Sequence, residues 1–176
     1  MKKIRLATVW LDGCSGCHMS LLDMDEGILD LPRRADLVYG PLVDAQEFPA
    51  SVDVTLVEGA ISSQEDLEKI QRIRKRTKLL VALGDCAVTG NVPAMRNAVP
   101  VRKLLERVYV EGAQATPGVP VDGVPPLLRQ AIPLQQAVAV DLHVPGCPPP
   151  AKVIADVLAE LLAGRVPKLG SRLRFG

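Results

Sequence analysis

The chain has 176 residues, with 21 Lys and Arg against 20 Asp and Glu, a formal net charge of +1, and 48% apolar and 23% charged residues. That composition suits a globular protein built around one core, with no room for a second large domain, and it lacks the basic excess with which nucleic-acid binders neutralise phosphates. No run approaches the ~20 apolar residues that cross a bilayer, and the opening MKKIRLATVWLDG has neither a secretory signal's longer apolar region nor a twin-arginine pair, so a cytoplasmic protein is expected.

Short apolar runs alternate with longer amphipathic ones, the pattern of βα units on a parallel sheet with helices on both faces. Residues 4–11, IRLATVWL, form a first strand; 19–31, MSLLDMDEGILDL, read as a helix ending before Pro32. A short second strand is expected over 35–41 and a third over 52–59, VDVTLVEG. Ser62 with Glu65 has the spacing of a capping box opening a helix to about Arg76, whose basic last turn complements the helix dipole. KLLVALG, 78–84, has the continuous apolar character of a strand buried on both faces. The stretch 91–136 holds seven prolines and reads as loop-rich surface or partner contact, with room for a helix only over 101–110. AVAVDLHVPG, 137–146, reads as the last strand and AKVIADVLAELLAG, 151–164, as a closing helix stopped by Gly164. A single domain spanning 1–176 is expected.

Each of the four cysteines falls just past a predicted strand: Cys14 and Cys17 after the first, Cys86 after Leu83, Cys147 after Val144. In a parallel sheet those ends share one edge, which is also where such folds bind ligands. Disulfides are rare in the reducing cytoplasm, so convergent thiols point to metal or redox chemistry.

Four thiolates suit zinc or an iron–sulfur cluster. Structural zinc usually takes two C-x-x-C knuckles on a small module that needs the metal to fold, whereas here one such pair joins two single cysteines on a sizeable sheet. Gly13 and Gly16 flank Cys14, Gly84 precedes Cys86 and Gly146 precedes Cys147, allowing close backbone approach. Pro148 after Cys147 repeats the Cys-Pro step of bacterial ferredoxins. These features favour a 4Fe-4S cluster over zinc. A redox dithiol at Cys14 and Cys17 comes third because it leaves Cys86 and Cys147 without a role.

WLDGCSGCHMSLL, VEGAISS, ALGDCAVTGNVP and HVPGCPPP, in that order, resemble the small subunit of nickel-iron hydrogenases, a family related to the electron-transfer subunit of respiratory NADH-quinone oxidoreductase. The resemblance runs along nearly the whole chain and is weakest over 97–136. Respiratory relatives have adjacent cysteines in the first motif; the Cys14-Ser15-Gly16-Cys17 spacing is the hydrogenase form.

The resemblance implies a flavodoxin-like domain holding one proximal 4Fe-4S cluster on Cys14, Cys17, Cys86 and Cys147. It further implies a large partner subunit with the NiFe centre. The expected lack of a twin-arginine signal and of a second, two-cluster domain points to the NAD-reducing, bidirectional type, in which electrons leave through diaphorase subunits bearing flavin and further clusters. Glu58 of the V-E-G-A block and the hydroxyl of Ser15 are candidate proton relays; a structural acceptor role for Glu58 is equally consistent. Trp10 is a candidate for stacking on an FMN, with core or interface packing favoured because buried Trp usually packs. His18 and His143, near the cysteines, are expected to support the site rather than ligate. A quinone-reducing complex is the redox alternative and a zinc-stabilised interaction module the non-redox one.

Overall fold

The computed structural model describes residues 3–167, 169, 170 and 175. Residues 1, 2, 168, 171–174 and 176 of the expected single domain lie outside the described residues. In chain order the first half comprises β1 (Ile4–Trp10), α1 (Gly16–Leu22), α2 (Glu26–Arg34), β2 (Ala35–Tyr39), β3 (Val52–Glu58), β4 (Ile61–Ser63) and α3 (Gln64–Lys75). The second half comprises β5 (Thr77–Leu83), α4 (Asp85–Thr89), α5 (Asn91–Ala94), α6 (Val101–Glu106), β6 (Leu127–Ile132), β7 (Leu142–Val144) and α7 (Ala151–Leu162).

Five strands pair in parallel in the order β2-β1-β3-β5-β7. Counted along the chain, that is the 2-1-3-4-5 order of flavodoxin-like folds, the fold that the family resemblance implies. Strand residues alternate between two cores because successive side chains point to opposite faces. Leu80 and Ala82 of β5 join Val9, Val57 and the α3 residues Ile70 and Ile73 on one face. Val81 and Leu83 join Leu6, Leu56, Leu21 of α1 and Ile154, Val157 and Leu161 of α7 on the other. Burying both faces is what makes these strands read as unbroken apolar runs.

The structure corrects several local expectations. The single helix over 19–31 is two helices, broken around Asp25, which has φ 50. Pro32 lies inside α2 rather than beyond a helix end; α2 is short and has no fully buried residue, so a missing amide there disturbs no core. The capping box is one residue further on: Ser63 caps α3, its hydroxyl accepting the Asp66 N–H while the Asp66 carboxylate accepts the Ser63 N–H. The last strand is only Leu142–Val144. Within 91–136 the structure adds β6, which pairs antiparallel with β4, and the short helices α5 and α6, of which only α6 falls in the expected helical stretch. In β6 only Ala131 is fully buried, so its sequence carries little strand-like alternation of apolar residues.

Candidate metal centre

Three loops leave the carboxyl ends of β1, β5 and β7 and carry the cysteines. The first loop reaches α1 through Ser15, whose backbone is left-handed at φ 66 and whose carbonyl accepts the Met19 N–H at 3.0 Å. Asp12 and Ala60 exchange backbone hydrogen bonds of 3.1 and 2.7 Å, fastening this loop to the β3–β4 turn. Gly59 makes that approach possible: a Cβ on it would stand 2.7 Å from the Leu11 carbonyl carbon, and its φ is +91.

The second and third loops are joined by backbone bonds. Gly84 N–H donates to the Val144 carbonyl at 2.8 Å and Asp85 N–H to the Gly146 carbonyl at 2.9 Å. In return the buried Asp85 carboxylate accepts the Gly146 N–H at 2.7 Å. The first loop meets the third where the buried Ser20 hydroxyl donates to the Pro149 carbonyl at 2.6 Å. Every cysteine-bearing segment is therefore tied to another.

The ties bring all four sequence-predicted thiols to one edge, and all four are free. Cys14 and Cys147 are exposed, Cys17 and Cys86 half-buried. Burial is the largest cause holding the Cys17 thiol above its ordinary range, followed by the Glu58 carboxylate and then Cys86, Cys14 and Cys147. Cys86 is raised in the same way, by burial first and then by Cys14 and Cys147, while the Val92 N–H works the other way. Cys17 and Cys86 thus both feel the charge that Cys14 and Cys147 would carry. Among the described residues no three His, Cys, Asp or Glu side chains are gathered tightly enough to hold one metal ion.

The donor set fits a thiolate-bound metal group. A Cβ on Gly84 would collide with Cys17 Sγ, and one on Gly16 would lie 3.3 Å from Cys14 Sγ and 3.9 Å from Pro148 Cβ. Both glycines therefore keep the space around the sulfurs clear. Asn91 Nδ2 donates to Cys147 Sγ at 3.5 Å and the Val92 N–H to Cys86, the kind of bond to sulfur that tunes iron–sulfur sites.

Glu58 closes β3 on the same edge and is 2% exposed. Its Oε2 accepts the His18 N–H at 2.7 Å, so it holds the residue directly after Cys17. The buried His18 ring places Nδ1 2.9 Å from the same oxygen, but without the alignment of a hydrogen bond. His143 is half-buried in β7. Trp10 is 46% exposed and lines a cavity of about 290 Å³ together with Thr8, Tyr39 and Lys69. Asp85, Asn91 and Val92 escape sequence reasoning. An acid between a turn glycine and a cysteine is a signal for Asp85, but its partner Gly146 is 61 residues away.

Fold and site together define a doubly wound α/β domain with four free cysteines on the loops of its carboxyl edge. Residues 14–161 match the family described as NADH ubiquinone oxidoreductase, 20 Kd subunit, and the chain belongs to that family. Subunit delta of the NAD-reducing hydrogenase HoxS of Cupriavidus necator is 39% identical over 168 residues, covering 93% of this chain and 80% of that one. A subunit of the F420-non-reducing hydrogenase vhu of Methanocaldococcus jannaschii is 37% identical over 172 residues, covering 97% of this chain and 60% of that one. The chain thus spans about three fifths of the length of that methanogen relative. Superposition on a chain of an NAD+-reducing NiFe-hydrogenase crystallised in its H2-reduced state gives a TM-score of 0.95 at 39% identity, over 99% of this chain and 100% of that one. No helix among the described residues is long and apolar enough to cross a membrane.

Proposed function

We propose that this chain, taken as one domain over 1–176, is the electron-transfer subunit of a cytoplasmic NAD-reducing nickel-iron hydrogenase. In this reading it passes electrons from a large partner subunit, whose NiFe centre oxidises H2, towards diaphorase subunits with flavin and further clusters. The convergence of four free thiols on one sheet edge carries the reading. Likeness to the HoxS subunit and to the NAD+-reducing hydrogenase chain supports the choice of complex.

Cys14, Cys17, Cys86 and Cys147 would hold one 4Fe-4S cluster, which when bound accepts and releases one electron at a time. The chain's own work is to keep four sulfurs in register, to supply the Asn91 and Val92 N–H groups to them, and to keep glycines where side chains would intrude. Metal binding needs the thiolates, so loading releases the protons that burial and mutual repulsion hold on Cys17 and Cys86. Proton relay through Glu58 and Ser15 belongs to the same proposal: Glu58 stands beside the Cys17 helix and Ser15 between the first two cysteines. An FMN on Trp10 forms no part of it, because the reading rests on the cysteines alone.

Anaerobic isolation of the complex tests the proposal. About four irons and four acid-labile sulfides in this chain, over and above those of the NiFe centre and the diaphorase clusters, with a paramagnetic signal on reduction, are expected for a single cubane. Copurification with a large nickel-containing chain is expected as well. Stoichiometric zinc without a paramagnetic signal would make the chain a zinc-stabilised interaction module. A quinone-binding partner in place of the nickel chain would assign it to a quinone-reducing complex.

A further inference from the structure

Two buried carboxylates lie at the roots of the cysteine loops. Asp85 is 4% exposed and Glu58 2% exposed. Neither is spent on an ordinary helix cap: Asp85 opens α4, whose cap position is Gly84 and has no side-chain cap, and Glu58 ends a strand. Each instead accepts the backbone N–H of a residue directly next to a cysteine distant in sequence. Asp85 Oδ1 takes the N–H of Gly146, which precedes Cys147, at 2.7 Å. Glu58 Oε2 takes the N–H of His18, which follows Cys17, at 2.7 Å.

We infer that Asp85 and Glu58 are positioning residues that set the register of the cysteines, Asp85 locking the Cys86 loop to the Cys147 loop and Glu58 locking the Cys14–Cys17 loop to β3. The inference rests on the cluster reading above and adds how the chain holds it. Asp85 is fixed at both ends of its own residue, since its N–H donates to the Gly146 carbonyl while its carboxylate accepts the Gly146 N–H. Such a two-way tie leaves the relative height of the two loops little freedom. It spans 61 residues, and the Glu58 tie spans 40, so neither register can come from local chain geometry. Gly146 has φ +142, and the buried amide there needs an acceptor that water does not supply.

An anionic acceptor beside a cluster has a second effect. Reduction adds an electron, so a fixed negative charge nearby disfavours the reduced state and lowers the potential. Glu58→Gln keeps an oxygen for the His18 N–H and removes the charge. The expected result is iron and sulfide content equal to wild type, with the midpoint potential shifted in the positive direction. A carboxyl that is uncharged, or that stands too far from the cluster for its charge to be felt, would give no such shift.

The experiment uses the full chain in its isolated complex and compares Asp85→Ala, Asp85→Asn, Glu58→Ala and Glu58→Gln by iron, sulfide, EPR line shape and redox titration. Both alanine variants are expected to lose about four irons per complex, those of this chain's cluster, and both amides to restore them. Where an alanine variant does not accumulate, the amide variant carries the test, and failure of Asp85→Asn or Glu58→Gln to load iron would overturn the acceptor role. Wild-type loading, line shape and potential in both alanine variants would overturn the inference while leaving the cluster intact. An unchanged potential in Glu58→Gln would remove its charge effect. Absence of iron and sulfide from the wild-type chain would instead sink the cluster reading itself.

Discussion

A Cβ on Gly84 would overlap the Cys17 Sγ, so the glycine that turns β5 into the Cys86 loop also makes the room the Cys17 sulfur occupies. Gly84 has φ 84 and ψ 162, a region essentially reserved for glycine where an L side chain costs about 1–3 kcal/mol before any clash. Gly84→Ala is therefore expected to lower the urea midpoint and to cut iron content more sharply than the stability loss alone explains. Gly164→Ala is the matched control, because its φ is +73 and a Cβ there meets nothing within 4 Å. Equal iron content in the two variants would refute the close packing of Gly84 on the site.

Exposure orders the reactivity of the metal-free thiols. Cys14 and Cys147 are exposed, whereas Cys17 is half-buried and held in its protonated form by burial and the adjacent Glu58. Because the thiolate is the nucleophile, iodoacetamide should modify Cys14 and Cys147 first and Cys17 much later. Mass spectrometry of timed samples reads the order directly, and early labelling of Cys17 would contradict it. Once a cluster is bound all four should be protected, and Cys147→Ser should lose that protection along with most of the iron.

Much of this site is written locally in the chain. β1, β3 and β5 are unbroken apolar runs because both their faces are covered, and each cysteine follows a strand end within a few residues. The pairwise ties are not written locally. Nothing in GDC names Gly146 as the partner of Asp85, and nothing in VEG names the amide of His18, since both bonds exist only after the loops meet. β6 escapes for another reason: Leu127, Arg129 and Gln130 are exposed while Leu128 and Ile132 pack on the core, so its residues show no regular alternation. The break near Asp25 and the proline inside α2 lie on an exposed helix with no fully buried residue, where apolar periodicity reports poorly on backbone path.

Suppressed thiol ionisation in the folded chain makes metal-free stability depend on pH. Cys17 is shifted above the ordinary thiol value of 9.0 in the fold, whereas the unfolded chain ionises it near that value. The contribution of the protonated thiol is thus fully present below pH 9.0 and is lost as pH rises beyond it, since the unfolded state releases its proton first. Urea midpoints of the metal-free protein at about pH 7 and about pH 10 should fall more for wild type than for Cys17→Ala, which has no thiol to ionise there. Parallel curves for the two proteins would show that Cys17 is not shifted.

Adjacent serines before α3 offer two registers for its cap, and stability separates them. Ser62 with Glu65 and Ser63 with Asp66 have the same spacing, yet only the Ser63 hydroxyl accepts a helix N–H, that of Asp66 at 3.1 Å. The Ser62 hydroxyl turns instead to the Asp12 carboxylate, tying β4 to the first cysteine loop. Asp12 is exposed, so water can replace that hydroxyl. Ser63→Ala should therefore cost about 0.5–2 kcal/mol, the usual loss for a cap replaced by alanine, with iron content unchanged because the Ser63 hydroxyl bonds to Asp66 and to no cysteine loop. Ser62→Ala should cost less. The reverse ranking in urea denaturation would return the cap to Ser62 and Glu65, and with it the register of the turn that joins β4 to the helix.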